Sequence, residues 1–436
     1  MRQSHRLNNV GLINREKVIS FKFNGKSYEG YEGDTLASAL LANGVHLVGR
    51  SFKYHRPRGF FGAGVDEPNA KLQVTINGHS EPNINATEIE LVDGLSATSQ
   101  NCWPSVEFDI GAINNFLKRF FPAGFYYKTF MWPKSFWYKV YEPFIRKAAG
   151  LGVASLEKDK ERYEHKFEYC DLLVTGSGPS GLSSAYAAAK NGAKVILAED
   201  KPRYGGTLLT DDVSIDNMSG KDWSEKVISE LKTMPNVTLK NRSQVFGYYD
   251  HNMMVMFERV GDHLSKKSKY TPRQRLWYIR AKETILSTGS IERPIVFGNN
   301  DTPGVVLSSA AKEYMKVYGV LVGRKPVIFT NNDSAYETAF EFKKNNVEPI
   351  ILDTREEHDS EVVQAAKNKG IQIKFSYGVI VANGYKKVKS AKIGKLTKDK
   401  KSFENTEIIN CDCICVSGFW TPTIHLASQS GNKLKY

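Results

Sequence analysis

The chain has 436 residues, 41% apolar and 25% charged, enough for two or three domains with cores of their own. No stretch approaches the roughly 18 apolar residues of a membrane span, and the start "MRQSHRLNNVGLINREK" lacks the apolar core of a secretory signal, so a cytoplasmic protein without membrane contact is expected. The net charge of +13 permits an acidic partner without naming one, and five cysteines without framework spacing suit a reducing compartment.

Near the amino end, "ISFKFNGKSYEGYEGDTLASALLANGV" predicts two short strands meeting at Asn24-Gly25, a pair that supplies the positive φ angles of a tight hairpin. A helix follows, capped by Asp34 or Thr35 and ended at Gly44. Then comes "GRSFKYHRPRGFFGAGVDEPNA", from Gly49 to Ala70, where a ferredoxin-like domain carries its cluster thiolates. It contains no cysteine. With the strand-like "AKLQVTING" and "EPNINATEIELVDGLSATSQN", residues 1–108 read as a cluster-less ferredoxin-like (β-grasp) domain. Arg50, Lys53, Arg56 and Arg58 in its loop are expected to form salt bridges to neighbouring domains or subunits, with an anion or flavin-phosphate contact as the alternative.

Residues 109–168 read as a connecting and subunit-contact segment. Ala112 to Lys147 holds thirteen aromatic residues in 36 positions, and seven Lys/Arg against the single acid Glu142. Interleaved rings and cations suit nucleic acid, a membrane surface, or a mixture of core packing and protein contact. Pro122, Pro133 and Pro143 interrupt any long amphipathic helix, and no RNA-recognition signature is present, so packing and protein contact is the expectation. The charged "EKDKERYEHKFEY" reads as a linker.

From about residue 169 the pattern alternates strand and helix, the mark of a parallel sheet. "CDLLVTG" is a strand; Gly176-Ser177-Gly178-Pro179-Ser180-Gly181 matches GxGxxG where strand gives way to helix; Asn191-Gly192 stops the helix; "KVILAED" is the second strand. In such a turn the first glycine permits the tight bend, the second lets backbone approach a pyrophosphate, and the third lets helix pack on strand. The pyrophosphate then lies at the helix N-terminus, beside free N–H groups. Glu199 falls 18 residues past Gly181, the distance for a carboxylate that grips ribose hydroxyls, and Asp200 can share the role. An acid there disfavours a 2′-phosphate, leaving NAD or FAD. Gly206 and Thr207 add an amide and a hydroxyl nearby.

Later, "ETILSTGSIERPIVFGNN" resembles, at Thr288-Gly289, the stretch by which two-dinucleotide-domain reductases return to their first domain. "KPVIFTNNDSAYETAFEFKKNNVEPIILDTR" repeats strand–helix–strand, but its turn, Thr330 to Ser334, has no glycine. A second nucleotide can hardly approach over those side chains. In "EIINCDCICVSGFWTPTIHL" the alternating Cys411, Cys413 and Cys415 read as buried thiols rather than metal ligands. Gly418 there is followed by Phe419, where the reductases place an Asp that holds the FAD ribityl chain; this favours NAD. No paired carboxylates, nucleophile with a base or metal set occurs, so no residue is assigned as catalytic. The expected class is α/β: a Rossmann-like two-dinucleotide-binding-domain (pyridine nucleotide-disulfide reductase-like) fold after the ferredoxin-like domain. Residues 169–325 and 405–436 form the NAD-binding domain and 326–404 a second nucleotide-domain-like insertion.

The motifs "RSFKYHRPRG", "DEPNA", "PAGFYYKTFMWP", "GSGPSGL", "FGNNDTPGV", "FTNNDSAYETA" and "VSGFWTPTIHL" together resemble the α subunits of heterotetrameric sarcosine oxidases, along the whole chain. The resemblance implies NAD at the glycine motif, FAD and covalent FMN mainly on a β subunit, and small γ and δ subunits. Val245 and Thr423 join the nucleotide set on the same footing. The implied reaction is oxidative demethylation of sarcosine to glycine, with O2 reduced to H2O2 and the one-carbon unit passed to tetrahydrofolate. In that family a folate-binding half follows; nothing in these residues resembles it, so an N-terminal portion is expected. The rival readings are an FAD-binding subunit of a related amino-acid dehydrogenase or cyanide synthase-type complex, and a nucleic-acid-binding protein using the basic aromatic stretch.

Overall fold

The computed structural model of the chain describes residues 3–121, 124, 129–431 and 433. The readings placed on Pro122 and on half of "PAGFYYKTFMWP" lie outside these residues. The chain divides into two units, Met1–Glu157 with Arg293–Phe419, and Lys158–Glu292 with Trp420–Tyr436.

The ferredoxin-like part of the first unit is a five-stranded sheet in the order β2-β1-β5-β3-β4, from β1 (Asn14–Phe23), β2 (Lys26–Glu32), β3 (Lys71–Ile76), β4 (His79–Asn85) and β5 (Ser96–Ser99). Asn24 and Gly25 take φ of 49° and 78°, as the hairpin requires. Helix α1 (Leu36–Ala42) is wholly buried, and Thr35 is its cap, accepting from the Ser38 amide. The other candidate, Asp34, instead receives the Arg6 guanidinium in two hydrogen bonds of 3.0 and 2.6 Å. Its burial makes such pairing necessary.

The aromatic segment forms short helical turns and α2 (Glu142–Ala149). Among its described residues no aromatic ring is fully buried, and Phe116, Phe120, Trp132, Tyr138 and Phe144 are exposed. The expected share in a core is therefore not found among the described residues. The segment is fastened to the cysteine-free loop instead. His55 bridges the Asp109 carboxylate (2.6 Å) and the Ala148 carbonyl (3.0 Å), and Tyr54 Oη donates to the Phe121 carbonyl (2.9 Å).

The second unit is built on a six-stranded sheet, β8-β7-β6-β11-β10-β9, from β6 (Tyr163–Thr175), β7 (Val195–Ala198), β8 (Val237–Lys240), β9 (Ser243–Tyr249), β10 (Met253–Arg259) and β11 (Gln274–Leu286). The first four in this order run parallel. Helices α3 (Pro179–Lys190) and α4 (Gly220–Thr233) pack their apolar stripes over it, Leu182 and Ala185 meeting Val227 and Leu231 in one core. The charged stretch expected as a linker is strand from Tyr163 onward. Its sequence hides this because the first half of β6 is solvent-facing and only the last residues are buried.

Residues 293–325 and 405–419, which the sequence grouped with the glycine motif, fall in the first unit. The cause is one parallel sheet, β12-β19-β13-β14-β15: β12 (Val305–Leu307), β13 (Pro326–Thr330), β14 (Ile350–Asp353), β15 (Gln372–Phe375) and β19 (Cys413–Ser417). Strand β19 lies between β12 and β13, so both flanks of 326–404 share a sheet with it. An antiparallel sheet of β16 (Tyr377–Gly384), β17 (Val388–Leu396) and β18 (Phe403–Asn410) completes this part. Helices α5 (Ser308–Lys316), α6 (Tyr336–Lys344) and α7 (Glu361–Asn368) belong to it as well. Arg56 and Arg58 both pair with Asp301, so these salt bridges run within the first unit. Arg50 instead donates to the Val106 carbonyl and to Tyr385 Oη. The chain's last described helix is α8 (His425–Gln429). No helix among the described residues is long and apolar enough to cross a membrane.

Candidate dinucleotide site

Strand β6 ends at Thr175, and the chain must turn sharply to enter α3. Gly176 does this at φ 96°, its amide donating to the Ala198 carbonyl at 2.8 Å. A Cβ on Gly176 would lie 2.2 Å from the Ser287 carbonyl oxygen, and one on Gly181 only 1.8 Å from that of Gly176. At both positions any side chain is sterically excluded. Gly178 is different: among the described residues nothing lies within 4 Å of its Cβ position. Two glycines are closed by the protein and the middle one opens outward.

Pro179 and Ser180, at the exposed start of α3, continue that open edge. The helix's first amides lack intrahelical partners and point along it. Gly206, at φ 53°, lies with its Cβ position 2.9 Å from the Gly178 Cα, and the exposed Thr207 follows it.

Glu199 follows β7 directly and is 6% exposed. One carboxylate oxygen accepts from the Ser177 amide (2.9 Å) and hydroxyl (2.5 Å), the other from the Lys201 amide (3.0 Å). Burial first, and then the neighbouring Asp200, push its pKa up to about 7. The acid is thus aimed at the glycine turn. Ser177, quoted in the motif but not singled out, is the piece that ties the site together, since its Oγ also receives the Gly205 amide at 3.0 Å. A hydroxyl between the first two glycines is the signal that could have marked it.

Thr288, Gly289 and Thr423 are brought together: Thr288 Oγ1 donates to the Thr423 carbonyl (2.7 Å) and the Thr423 amide to the Gly289 carbonyl (2.9 Å). Val245 sits in β9 with its side chain in the core beside Ile196 and Ala198. Gly418 lies in the other unit, just after β19, with its amide on the Arg293 carbonyl at 2.6 Å. Cys411, Cys413 and Cys415 are buried free thiols, and burial lifts Cys411 to about 12. Among the described residues no group of three His, Cys, Asp or Glu is placed to hold a metal.

Residues 171–251 match the family of FAD dependent oxidoreductases, and residues 16–102 the 2Fe-2S iron-sulfur cluster binding domains. The second match does not extend to its metal. Cys102 is the one cysteine in that span, where a cluster needs four ligands, and burial raises its thiol to about 11. The chain is 46% identical over 431 residues to the sarcosine oxidase subunit alpha of Rhizobium meliloti (strain 1021), covering 99% of the chain and 42% of that relative. It is 32% identical to the counterpart from Corynebacterium sp. (strain P-1), covering 97% of the chain and 39% of the relative. The chain thus spans less than half the length of these relatives. Among solved structures, the L-proline dehydrogenase from P. horikoshii has the same fold, with a TM-score of 0.63 at 22% identity, over all of this chain and 66% of that one.

Proposed function

The chain belongs to the family of sarcosine oxidase α subunits, and from that kinship we propose that it is the dinucleotide-binding part of a flavin-dependent amine oxidase complex, with NAD at Gly176–Gly181. In this reading the complex is cytoplasmic. It oxidises sarcosine to glycine, reduces O2 to H2O2 and passes the one-carbon unit to tetrahydrofolate. FAD and FMN are carried mainly by a β subunit, γ and δ subunits complete the assembly, and folate binds on sequence beyond these residues.

One observation carries the nucleotide assignment: the Cβ position of Gly178 meets nothing while those of Gly176 and Gly181 are filled by backbone. A diphosphate needs that bare approach, together with the amides at the start of α3. Glu199 then accepts from the ribose hydroxyls, with Ser177 orienting its carboxylate. A dinucleotide bound here supplies redox chemistry through its nicotinamide or flavin ring; the chain's own residues grip its phosphates and sugar. The preference for NAD is a sequence argument alone, from Phe419 standing after Gly418 where flavin-binding reductases use Asp. The match of residues 171–251 to FAD dependent oxidoreductases favours FAD at the same turn as the second reading.

Releasing the nucleotide from gently purified protein and weighing it by mass spectrometry separates the two. NAD is the expected result. FAD alone overturns the cofactor and keeps the site; a protein that takes up neither overturns both.

A further inference from the structure

The cluster-domain match and the cysteine-free loop disagree, and residues 59–70 show what stands in the gap. Glu67, from the "DEPNA" motif, is 2% exposed. Its carboxylate receives four main-chain amides. Phe61 (2.5 Å) and Gly62 (2.8 Å) donate to Oε2, while Asn69 (2.6 Å) and Ala70 (3.1 Å) donate to Oε1. Two separate stretches of loop therefore converge on one anion, and all four donors are neutral backbone groups. Converging amides of this kind make an anion-binding concavity. In cluster-bearing domains, hydrogen bonds to the cluster's sulfurs are the counterpart. The loop's outer side is occupied too. The Leu307 amide donates to the Phe61 carbonyl (2.7 Å), Tyr314 Oη to the Gly62 carbonyl (2.9 Å), and Thr87 Oγ1 to the Gly64 carbonyl (2.7 Å).

We propose that this loop is an anion cradle whose ligand is supplied by the chain: the Glu67 carboxylate takes the amides that a cluster would otherwise face, and thereby holds the loop against residues 307–314. The domain keeps the shape of an electron carrier with a carboxylate at its centre, and it serves as a rigid brace. Burial lifts the Glu67 carboxyl above its usual range, and the four amides act against that lift. A truncated side chain at this position leaves a buried pocket of four aligned amides, which a small monocarboxylate fits. The proposal is independent of which dinucleotide the other unit holds.

The test uses the 436-residue chain with Glu67→Ala and Glu67→Gln, reading thermal midpoint and amide hydrogen exchange at Phe61, Gly62, Asn69 and Ala70. Glu67→Ala is expected to lower the midpoint and speed exchange at all four amides by roughly tenfold or more, as loss of charge-assisted hydrogen bonds predicts. Added formate should restore both readings in that variant and leave the unaltered chain unchanged. Glu67→Gln keeps the volume but turns one acceptor into a donor, so one pair of amides should lose protection. If Glu67→Ala does not fold, Glu67→Gln decides alone: an unprotected pair supports the cradle, and full protection overturns it. The proposal also fails if Glu67→Ala retains protection at the four amides, if formate stabilises the unaltered chain equally, or if iron and sulfide rebuild a stoichiometric cluster on it.

Discussion

Residues 170–200 and 326–353 run through the same course of strand, turn, helix and strand, and each course ends with a buried acid at the tip of its second strand. They differ in what fills the turn. Between β6 and α3 the turn is backbone, with Gly178 open outward. Between β13 and α6 it is side chains: Asn332 Oδ1 accepts from the Ser334 amide at 3.1 Å, and its Nδ2 donates to Ser417 Oγ at 3.1 Å. The acids differ as well. Glu199 is met by the Ser177 amide and hydroxyl of the turn and by the Lys201 amide, whereas Asp353, 0% exposed, is held by Tyr336 Oη (2.8 Å) and by Arg355 (2.7 Å). The same topology thus offers a diphosphate a bare concavity in one case and a closed polar network in the other. On the proposed reading, topology sets where a nucleotide can bind and the turn residues decide whether it does.

The comparison breaks most sharply at the closed glycines. Gly181→Ala places a methyl 1.8 Å from a carbonyl oxygen, so strand and helix must separate. A clash of this kind costs on the order of 3 kcal/mol or more. Both the thermal transition of the second unit and the retained nucleotide should be lost. Gly178→Ala should keep the fold, because its Cβ points into open space, and lose the ligand, by roughly tenfold or more in affinity. Calorimetry on both variants, with nucleotide content per chain, checks the pair. A Gly178→Ala protein that retains a full complement of nucleotide defeats the assignment of the open glycine.

Why one turn was legible and its neighbourhood was not follows from range. GxGxxG, the hairpin at Asn24-Gly25 and the capped helix after it are local, each encoded within a few residues whose φ demands or hydrogen bonds only certain side chains meet. Glu199 was placed by its distance from Gly181. The insertion of β19 between β12 and β13 was not visible, because Ile414 and Val327 meet only through a sheet whose order the sequence does not spell. Nor was the first half of β6, where exposed charges mask a strand that pairs along its length with β11. The "DEPNA" motif stood out only as one of the stretches that carry the family resemblance, but Glu67 finds its amides in two stretches at once, and that convergence exists only once the loop has closed.

A smaller effect sharpens the comparison from the other side. Asn332→Gly removes a cap and opens the second turn, at a cost of roughly a few tenths of a kcal/mol. It should not create a nucleotide site, because Asp353 stays paired with Tyr336 and Arg355. Equilibrium dialysis against labelled NAD and FAD checks this on a variant that also carries Gly178→Ala, so that the first site is silent. Measurable uptake there would show that glycine content alone separates the two turns.

The smallest expected effect is in the pH dependence of the open site. Burial and Asp200 raise Glu199 to about 7 in the folded chain, above the value of 4.5 for an unperturbed Glu. For a carboxyl shifted upward, its contribution to stability is present in full below the unfolded value and is lost as pH climbs through about 7. A ribose hydroxyl donating to this group prefers the ionised form, so binding gains over the same window. The thermal shift produced by added nucleotide should therefore be larger above pH 7 than below it, by a few degrees at most. Glu199→Gln should flatten that difference while leaving Asp353 and its partners untouched. If the shift is equally pH-dependent in Glu199→Gln, another group is titrating and the acid does not hold the sugar.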